Sequence, residues 1–351
     1  WPARSDKSDM PEPAEHSENH ERTVNVRGHN RAYLECRRIR RRDYFLLERV
    51  GSPFCESYLA FDRLAGPGGN FSLVQSLPVG KSTEQLLRLL SRLKSDAFPR
   101  VVEWQKRRHQ IDVALTWTEG ISLADYLQNI REGRRPPVEP AQALRLVNGL
   151  AHAVCHPQRH LEVSHGDIQP ANLIVTSHPS RLQLIDFGSA WTTDWTTRRS
   201  EGDGHHRCYT APEHQTGIAA ASLLSDQFSV SVLLFELLTA QLPYGGLGGK
   251  AGRPEFIKRA ADTLVPPSQI SPSCKQLPRS LRDRLDALVL RGLAFKPDSR
   301  YPDHATWLND WKELSALFHI APELSPIENM LTRVIGWFLK PDHDRKRIGD
   351  F

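Results

Sequence analysis

The feature that most constrains this sequence is a loop motif at residues 165–172 (HGDIQPAN), followed after one strand-like run by DFG at residues 186–188. Phosphoryl transfer asks little covalent chemistry of a protein, but it needs a carboxylate to orient the attacking hydroxyl and oxygen ligands to hold magnesium. Asp167 suits the first role. Asn172 and Asp186 suit the second, because amide and carboxylate oxygens bind Mg²⁺. Each triplet alone is a weak signal, but their order and spacing together are specific.

Motifs further along the chain extend this pattern and resemble the protein-kinase superfamily, specifically the bacterial-type Ser/Thr kinases whose catalytic loop reads H-G-D. Residues 209–213 (YTAPE) resemble the A-P-E segment that closes the activation loop, and residues 225–238 resemble the buried central helix of the large lobe. Arg300 matches the arginine that pairs with the glutamate of that segment. The resemblance implies an α+β, protein-kinase-like two-lobed fold, with a small β-rich N-lobe carrying one helix and a larger α-helical C-lobe.

The resemblance and the composition together divide the 351 residues into four parts. Residues 1–42 are predicted to be a disordered basic tail, since their first half is polar and proline-bearing and has no apolar period. Residues 43–117 are predicted to be the N-lobe and residues 118–319 the C-lobe. Residues 320–351 are predicted to be an amphipathic helix followed by a basic tail.

The predicted small lobe departs from the kinase pattern where the phosphates of ATP would bind. Of the G-x-G-x-x-G loop only Gly51 remains, and the nearby Pro53 removes a backbone donor and fixes its own φ. The V-A-I-K pattern aligns with residues 72–75 (SLVQ), so Gln75 stands where a lysine would hold the α- and β-phosphates. Leu73 stands where a small alanine would face the adenine and therefore narrows the pocket.

By the same alignment, Leu115 is the gatekeeper residue and Trp117 belongs to the hinge that follows it. The glutamate that would pair with the missing lysine is not fixed by the alignment. Glu84 and Gln85 fit the position equally well. A plain alternative for Glu84 is a solvated helix face on which Arg88 follows four residues later.

Two cations of the kinase catalytic loop are also replaced. Gly166 stands where an arginine usually binds a phosphorylated activation loop, and Gln169 stands where a lysine would neutralise the transferred phosphoryl group. The sequence therefore keeps the predicted base and the magnesium ligands but loses much of the positive charge around them.

Composition narrows the partners and the compartment. The five cysteines are odd in number and scattered, without C-x-x-C spacing, which favours a reducing, cytoplasmic compartment and argues against zinc. The net charge of +5 comes largely from local clusters such as residues 37–42 (RRIRRR). That run could attract nucleic acid, an acidic partner or a membrane surface. We favour a solvated arm on an acidic face of the small lobe, and we expect a protein substrate or signalling partner rather than nucleic acid.

A strongly amphipathic helix is predicted near the end of the chain, from a capping-box start at residues 325–328 (SPIE). Its apolar residues recur at helical spacing and share one face: Ile327, Met330, Leu331, Val334, Ile335, Phe338 and Leu339. Such a face could lie on a membrane surface or dock a partner. We favour packing against the large lobe of the same chain.

The resemblance implies two functions. The first is an atypical Ser/Thr protein kinase that uses Mg-ATP and is weak or specialised, which the joint presence of Asp167, Asn172 and Asp186 favours. The second is a pseudokinase that acts as a scaffold or allosteric regulator, which the glutamine at position 75 favours. A small-molecule phosphotransferase of the aminoglycoside type shares H-G-D, but it gives no reason for an A-P-E segment.

Overall fold

The computed structural model describes residues 22–50, 56–65, 70–92, 97–161, 163–177, 180–185, 191–192, 206–215 and 222–318. Within these ranges the chain forms two compact units, the first from residues up to 78 together with 103–115, and the second from residues 79–102 together with 116 onwards. None of the helices in the described ranges has the length and apolar character that crossing a membrane requires.

The first unit is built almost entirely of strands. In the part of this unit that the structure describes, the strands are β1 (Thr23–Val26), β2 (His29–Ala32), β3 (Glu35–Ile39), β4 (Arg42–Arg49), β5 (Glu56–Asp62), β6 (Asn70–Pro78), β7 (Val101–Lys106) and β8 (Gln110–Thr116). β1 and β2 form a hairpin, and the other six form one sheet in the order β3-β4-β5-β6-β8-β7. One face of this sheet buries an apolar cluster, as alternation along strands requires: Ile39, Tyr44, Leu46, Ala60, Val74 and Ala114.

The prediction of a disordered tail over residues 1–42 is wrong for residues 22–42, which form β1, β2, β3 and the start of β4. Val24 and Val26 alternate with exposed residues and are buried. The turn between β1 and β2 has positive φ at both Arg27 and Gly28, which matches the right-handed twist of a two-residue hairpin. The predicted disorder of residues 1–21 falls outside the described residues, and so do the amphipathic helix and basic tail predicted over residues 320–351.

The basic run at residues 37–42 belongs to the hairpin of β3 and β4, so it is not a separate arm. Arg37 is buried, and its guanidinium donates to Glu35 at 3.1 Å, to Glu56 at 3.1 Å and to Ser76 at 2.8 Å. Asp112, from β8, lies 3.9 Å from the same guanidinium. The arginine is therefore a structural cation that ties β3 to strands far along the chain.

The two edge strands of the six-stranded sheet also meet at one end. The backbone N–H of Arg40 donates to the side chain of Gln105 at 2.7 Å, and the Arg40 side chain donates to the carbonyl of Trp104 at 2.9 Å. In return, Arg107 donates to the carbonyl of Arg38. These bonds join the turn after β3 to β7 and curl the sheet towards closure.

The second unit is mainly helical. Its helices are α1 (Lys81–Leu90), α2 (Leu123–Arg131), α3 (Pro140–Leu161), α4 (Leu223–Thr239), α5 (Ile257–Ala260), α6 (Pro267–Ile270), α7 (Pro272–Lys275), α8 (Arg279–Gly292) and α9 (His304–Leu317). Five short strands complete it, β9 (Ile121–Ser122), β10 (Val163–Ser164), β11 (Leu173–Val175), β12 (Leu182–Leu184) and β13 (Trp191–Thr192). β12, β11 and β9 form one sheet, while β10 pairs with β13.

Helix α4 is the centre of the second unit. It starts at a capping box in which Ser222 and Ser225 exchange side-chain and backbone hydrogen bonds. Apart from Leu224, every residue from Leu223 to Leu238 is buried, which explains why the segment is apolar all round rather than amphipathic. The β-rich first unit followed by this helical unit confirms the predicted fold class.

Candidate active site

The loop that carries the predicted base is suspended from α4. Both carboxylate oxygens of the buried Asp226 accept backbone hydrogen bonds from this loop, from the N–H of His165 at 2.8 Å and from the N–H of Gly166 at 2.9 Å. Gly166 has a φ of +74°, a conformation that glycine adopts without strain. Charge-assisted bonds of this kind are stronger than neutral ones, so the buried helix α4 fixes the loop.

The side chain of Asp167 is oriented by two amides. Asn172 donates through Nδ2 to Oδ2 of Asp167 at 3.0 Å and to its carbonyl at 2.9 Å. Gln169 donates through Nε2 to Oδ1 at 3.2 Å. Asp167 and Asn172, predicted together from the sequence, are therefore in direct contact, and the two amides that bind the carboxylate here are neutral donors.

The same arrangement tests whether Asn172 could serve as a magnesium ligand. Because its NH₂ group is used on Asp167, its Oδ1 is the atom left for a metal, and an amide oxygen is a ligand that Mg²⁺ accepts. The carbonyl of Asn172 also accepts from the N–H of Ile185 at 2.9 Å, one residue before Asp186. Asn172 therefore fits the ion, whereas Asp186, like Gly51, lies outside the described residues.

The A-P-E segment is braced by the ion pair that the resemblance implied. Arg300 donates to the two carboxylate oxygens of Glu213 at 2.7 and 2.8 Å. The guanidinium is buried, and it also donates to the carbonyls of Ala294 at 2.9 Å and Leu224 at 2.8 Å. A buried arginine with this many acceptors holds the segment firmly against the start of α4.

A second polar contact on α4 was not anticipated from the sequence. The hydroxyl of Tyr209 donates to the buried carboxylate of Glu236 at 2.8 Å, and Arg131 donates to the other oxygen. Burial raises the pKa of Glu236 above its ordinary value, against the opposing effects of Tyr209 and Arg131. A carboxylate within the largely apolar second half of α4 was the signal in the sequence.

The residues predicted to contact the nucleotide sit on two strands and in the hinge. Leu73 and Gln75 alternate along β6, with Leu59 and Ser57 as their partners across β5. The amide of Gln75 donates to the hydroxyl of Ser57 at 3.0 Å, so it is engaged within the sheet. Leu115 is buried in β8, while Trp117 follows in the second unit and is half-buried. Their roles towards ATP stay predictions.

On α1, Glu84 lies 3.8 Å from Arg88, four residues later on the helix. This agrees with the alternative of a helix-surface pair. α1 groups with the second unit, whose apolar core includes Leu86 and Leu90.

Comparison with known proteins agrees with this geometry. A family model described as "Protein kinase domain" matches residues 80–301. Serine/threonine-protein kinase PrkC of Bacillus subtilis is 26% identical over 54% of this chain and 26% of its own length. Serine/threonine-protein kinase PknB of Mycolicibacterium smegmatis is 26% identical over 54% of this chain and 28% of its own length. The matches thus span little more than a quarter of these relatives.

Among solved structures, the fold is similar to that of the Mycobacterium tuberculosis PknI kinase domain. One mutant of that domain gives a TM-score of 0.51 at 20% sequence identity, covering 78% of this chain and 95% of the other. A double mutant gives 0.52 at 22% identity, with the same coverage. This likeness establishes the fold, and the family model matches more than half of the sequence. The chain therefore belongs to the protein kinase domain family.

Proposed function

We propose that this chain is an atypical Ser/Thr protein kinase that transfers a phosphoryl group from Mg-ATP, with weak or specialised activity. One observation carries the proposal: the carboxylate of Asp167 is held by Asn172 and Gln169 on a loop suspended from Asp226. A chain that had no use for a base would have no chemical reason to keep this geometry.

In the proposed reaction, Asp167 orients the hydroxyl of a protein substrate and accepts its proton as the oxygen attacks the γ-phosphorus. Asn172 and Asp186 would hold magnesium, which supplies positive charge to the phosphates. Gln169 orients Asp167 through its amide but brings no charge to the transferred group. Because this amide is neutral, we expect lower rates than those of a kinase with lysine at this position.

A second function, that of a pseudokinase acting as a scaffold or allosteric regulator, is favoured by Gln75. Its amide is neutral and already donates to Ser57, where a lysine would offer a cation to the α- and β-phosphates. Without that cation, the first unit contributes less to nucleotide affinity.

Magnesium-dependent ATP binding separates the two functions. If the chain binds Mg-ATP, a nucleotide concentration of about a hundred times its Kd should stabilise the fold by roughly 2.7 kcal/mol, and EDTA should abolish the gain. Transfer of labelled γ-phosphate to protein would then be measured directly. An unchanged melting temperature in millimolar Mg-ATP would favour the pseudokinase.

A further inference from the structure

The end of the activation segment packs on a turn at Gly248–Gly252. The three glycines of this turn have no room for a side chain. A Cβ on Gly249 would lie 1.8 Å from the carbonyl oxygen of Thr210, and one on Gly248 would lie 2.2 Å from that of Cys208. A Cβ on Gly252 would lie 2.5 Å from the side chain of Pro212. These distances are far below van der Waals contact, so the turn packs directly against residues 208–212. Together they form one surface.

Helix α4 links this surface to the loop that carries the predicted base. Asp226 holds the catalytic loop, and Ser229, three residues later on α4, donates to the carbonyl of Tyr209 at 2.8 Å. Residues three apart are neighbours on a helix surface. A partner segment that brings a hydroxyl to Asp167 therefore passes close to Tyr209 and to the turn beneath it.

The same surface is rich in cations. Lys250 lies in the turn itself, and Arg253 ends it by donating its N–H to the carbonyl of Lys250 at 3.0 Å. The carbonyl of Arg253 in turn accepts from Ile257, the first residue of α5, at 2.9 Å. We name the cationic side chains of this stretch the basic rim: Lys250, Arg253, Lys258 and Arg259.

The carboxylates near the rim are largely neutralised by contacts inside the unit. Glu213 is paired with Arg300, and Glu236 is buried and bonded to Arg131. Within the part of the chain that the structure describes, the rim itself has one ion pair, between Arg253 and Glu255 at 3.7 Å. Lys258 and Arg259 are exposed, and the four cations of the rim outnumber the two exposed carboxylates of the same stretch, Glu255 and Asp262. The rim therefore presents a net positive charge to an approaching chain.

We propose that the basic rim selects an acidic protein segment, in which glutamate or aspartate residues flank the acceptor Ser or Thr. The inference rests on the proposed function, since it names the substrate class of the same site. Opposite charges at an exposed surface raise the rate of encounter and fix orientation, and salt weakens both effects.

Three peptides of equal length test the proposal, with one acceptor serine flanked by Glu, by Gln or by Lys. Binding to the full chain is measured by fluorescence anisotropy, and phosphotransfer from Mg-ATP is measured in parallel. The Glu peptide should bind roughly tenfold more tightly than the Lys peptide in low salt, and the difference should shrink as ionic strength increases. Equal binding of all three peptides, or a preference for Lys, would overturn the proposal.

A charge-reversed variant locates the effect. Lys250→Glu combined with Lys258→Glu should weaken binding of the Glu peptide by about tenfold, since each exposed pair contributes modestly and reversal replaces attraction with repulsion. Lys312→Glu, on the exposed side of α9, is the matched control and should leave binding unchanged. Undiminished binding of the Glu peptide by the double variant would place the site elsewhere and overturn the proposal.

The two proposals fail in different ways. Tight, salt-sensitive binding of the Glu peptide without any phosphotransfer would support the rim while refuting the phosphotransferase. Phosphotransfer with equal kcat/KM on all three peptides would support the phosphotransferase while refuting the rim. Melting curves of each variant show whether it is folded; if the double variant is not, the peptide series on the unaltered chain decides.

Discussion

The catalytic loop of the second unit and the sheet of the first unit differ in how closely they follow the protein-kinase pattern. In the loop, Asp167 and Asn172 are in contact, and Asp226 holds the backbone around them. In the sheet, Gln75, the residue predicted from the sequence to align with the lysine of the kinase pattern, is bonded to Ser57. Residues that accept a proton and residues that neutralise the charge of the phosphates can therefore change independently of each other.

The largest effect is expected from Asp167→Asn, which removes the carboxylate of the predicted base. If Asp167 is the general base, phosphotransfer should fall by roughly 10² to 10⁴, as loss of a general base typically causes. Initial rates with labelled ATP measure the loss. The melting temperature should change little, because the amide has nearly the same shape and size. Full activity in the variant would mean that the reaction belongs to a contaminant or uses another base.

Arg300→Met tests the ion pair with Glu213 that holds the A-P-E segment in the second unit. Removing the buried guanidinium leaves Glu213 and three backbone carbonyls without their donor, which should cost roughly 3–5 kcal/mol in the free energy of unfolding. Urea titration measures the change. Arg279→Met is the matched control, since Arg279 lies on the surface 3.5 Å from Asp283 and should change stability little. Equal effects of the two changes would contradict the bracing role.

Gln75→Lys tests whether the missing positive charge at position 75 is the only change in the first unit that weakens ATP binding. A lysine would offer a charge-assisted contact about twice as strong as that of the amide, so ATP affinity or turnover should improve by about fivefold if the rest of the site is intact. Isothermal titration with Mg-ATP and initial rates measure this, with Gln75→Met as the uncharged control. No gain would favour the pseudokinase. A loss of existing activity would mean that Gln75 already serves a different nucleotide pose.

The smallest effect is expected at Glu236. Burial raises the pKa of its carboxyl in the folded state above the ordinary 4.5. The protonated form therefore stabilises the fold below that pH, and this contribution is lost as the pH rises through the folded-state pKa. Unfolding of the chain and of Glu236→Gln, compared across pH 4 to 8, should show relative stability shifting towards the Gln variant as pH rises. A pH-independent difference would show that Arg131 and Tyr209 balance the effect of burial, and a shift towards the unaltered chain as pH rises would show that they outweigh it.

The sequence predicted the second unit better than the first, for a physical reason. Landmarks such as Asp167, Asn172 and the pair of Glu213 and Arg300 are short motifs whose chemistry requires particular side chains. Residues 22–42 were instead judged by local composition, which looked like a charged tail. Their strands depend on distant partners, as Arg37 shows by bonding to Glu56 and Ser76. Neither partner can be inferred from the neighbouring sequence.

Contacts inside α4 show a different kind of omission. The segment was predicted as a buried helix, but the roles of Asp226 and Glu236 within it were not stated. A carboxylate in an apolar helix must be paired or protonated, so each position signalled a partner. Which partner it is depends on how the helix faces the catalytic loop and Tyr209, and helical spacing alone does not fix that.

The bonds that join the turn after β3 to β7 have a consequence for how the chain behaves among its own copies. An open sheet ends in strands whose unpaired N–H and C=O groups invite pairing with another molecule. Here β3 covers the flank of β4, and Arg40 and Arg107 fasten the far edge to it. A chain shortened to begin at residue 41 would expose β4, and it should self-associate and precipitate more readily than the longer chain.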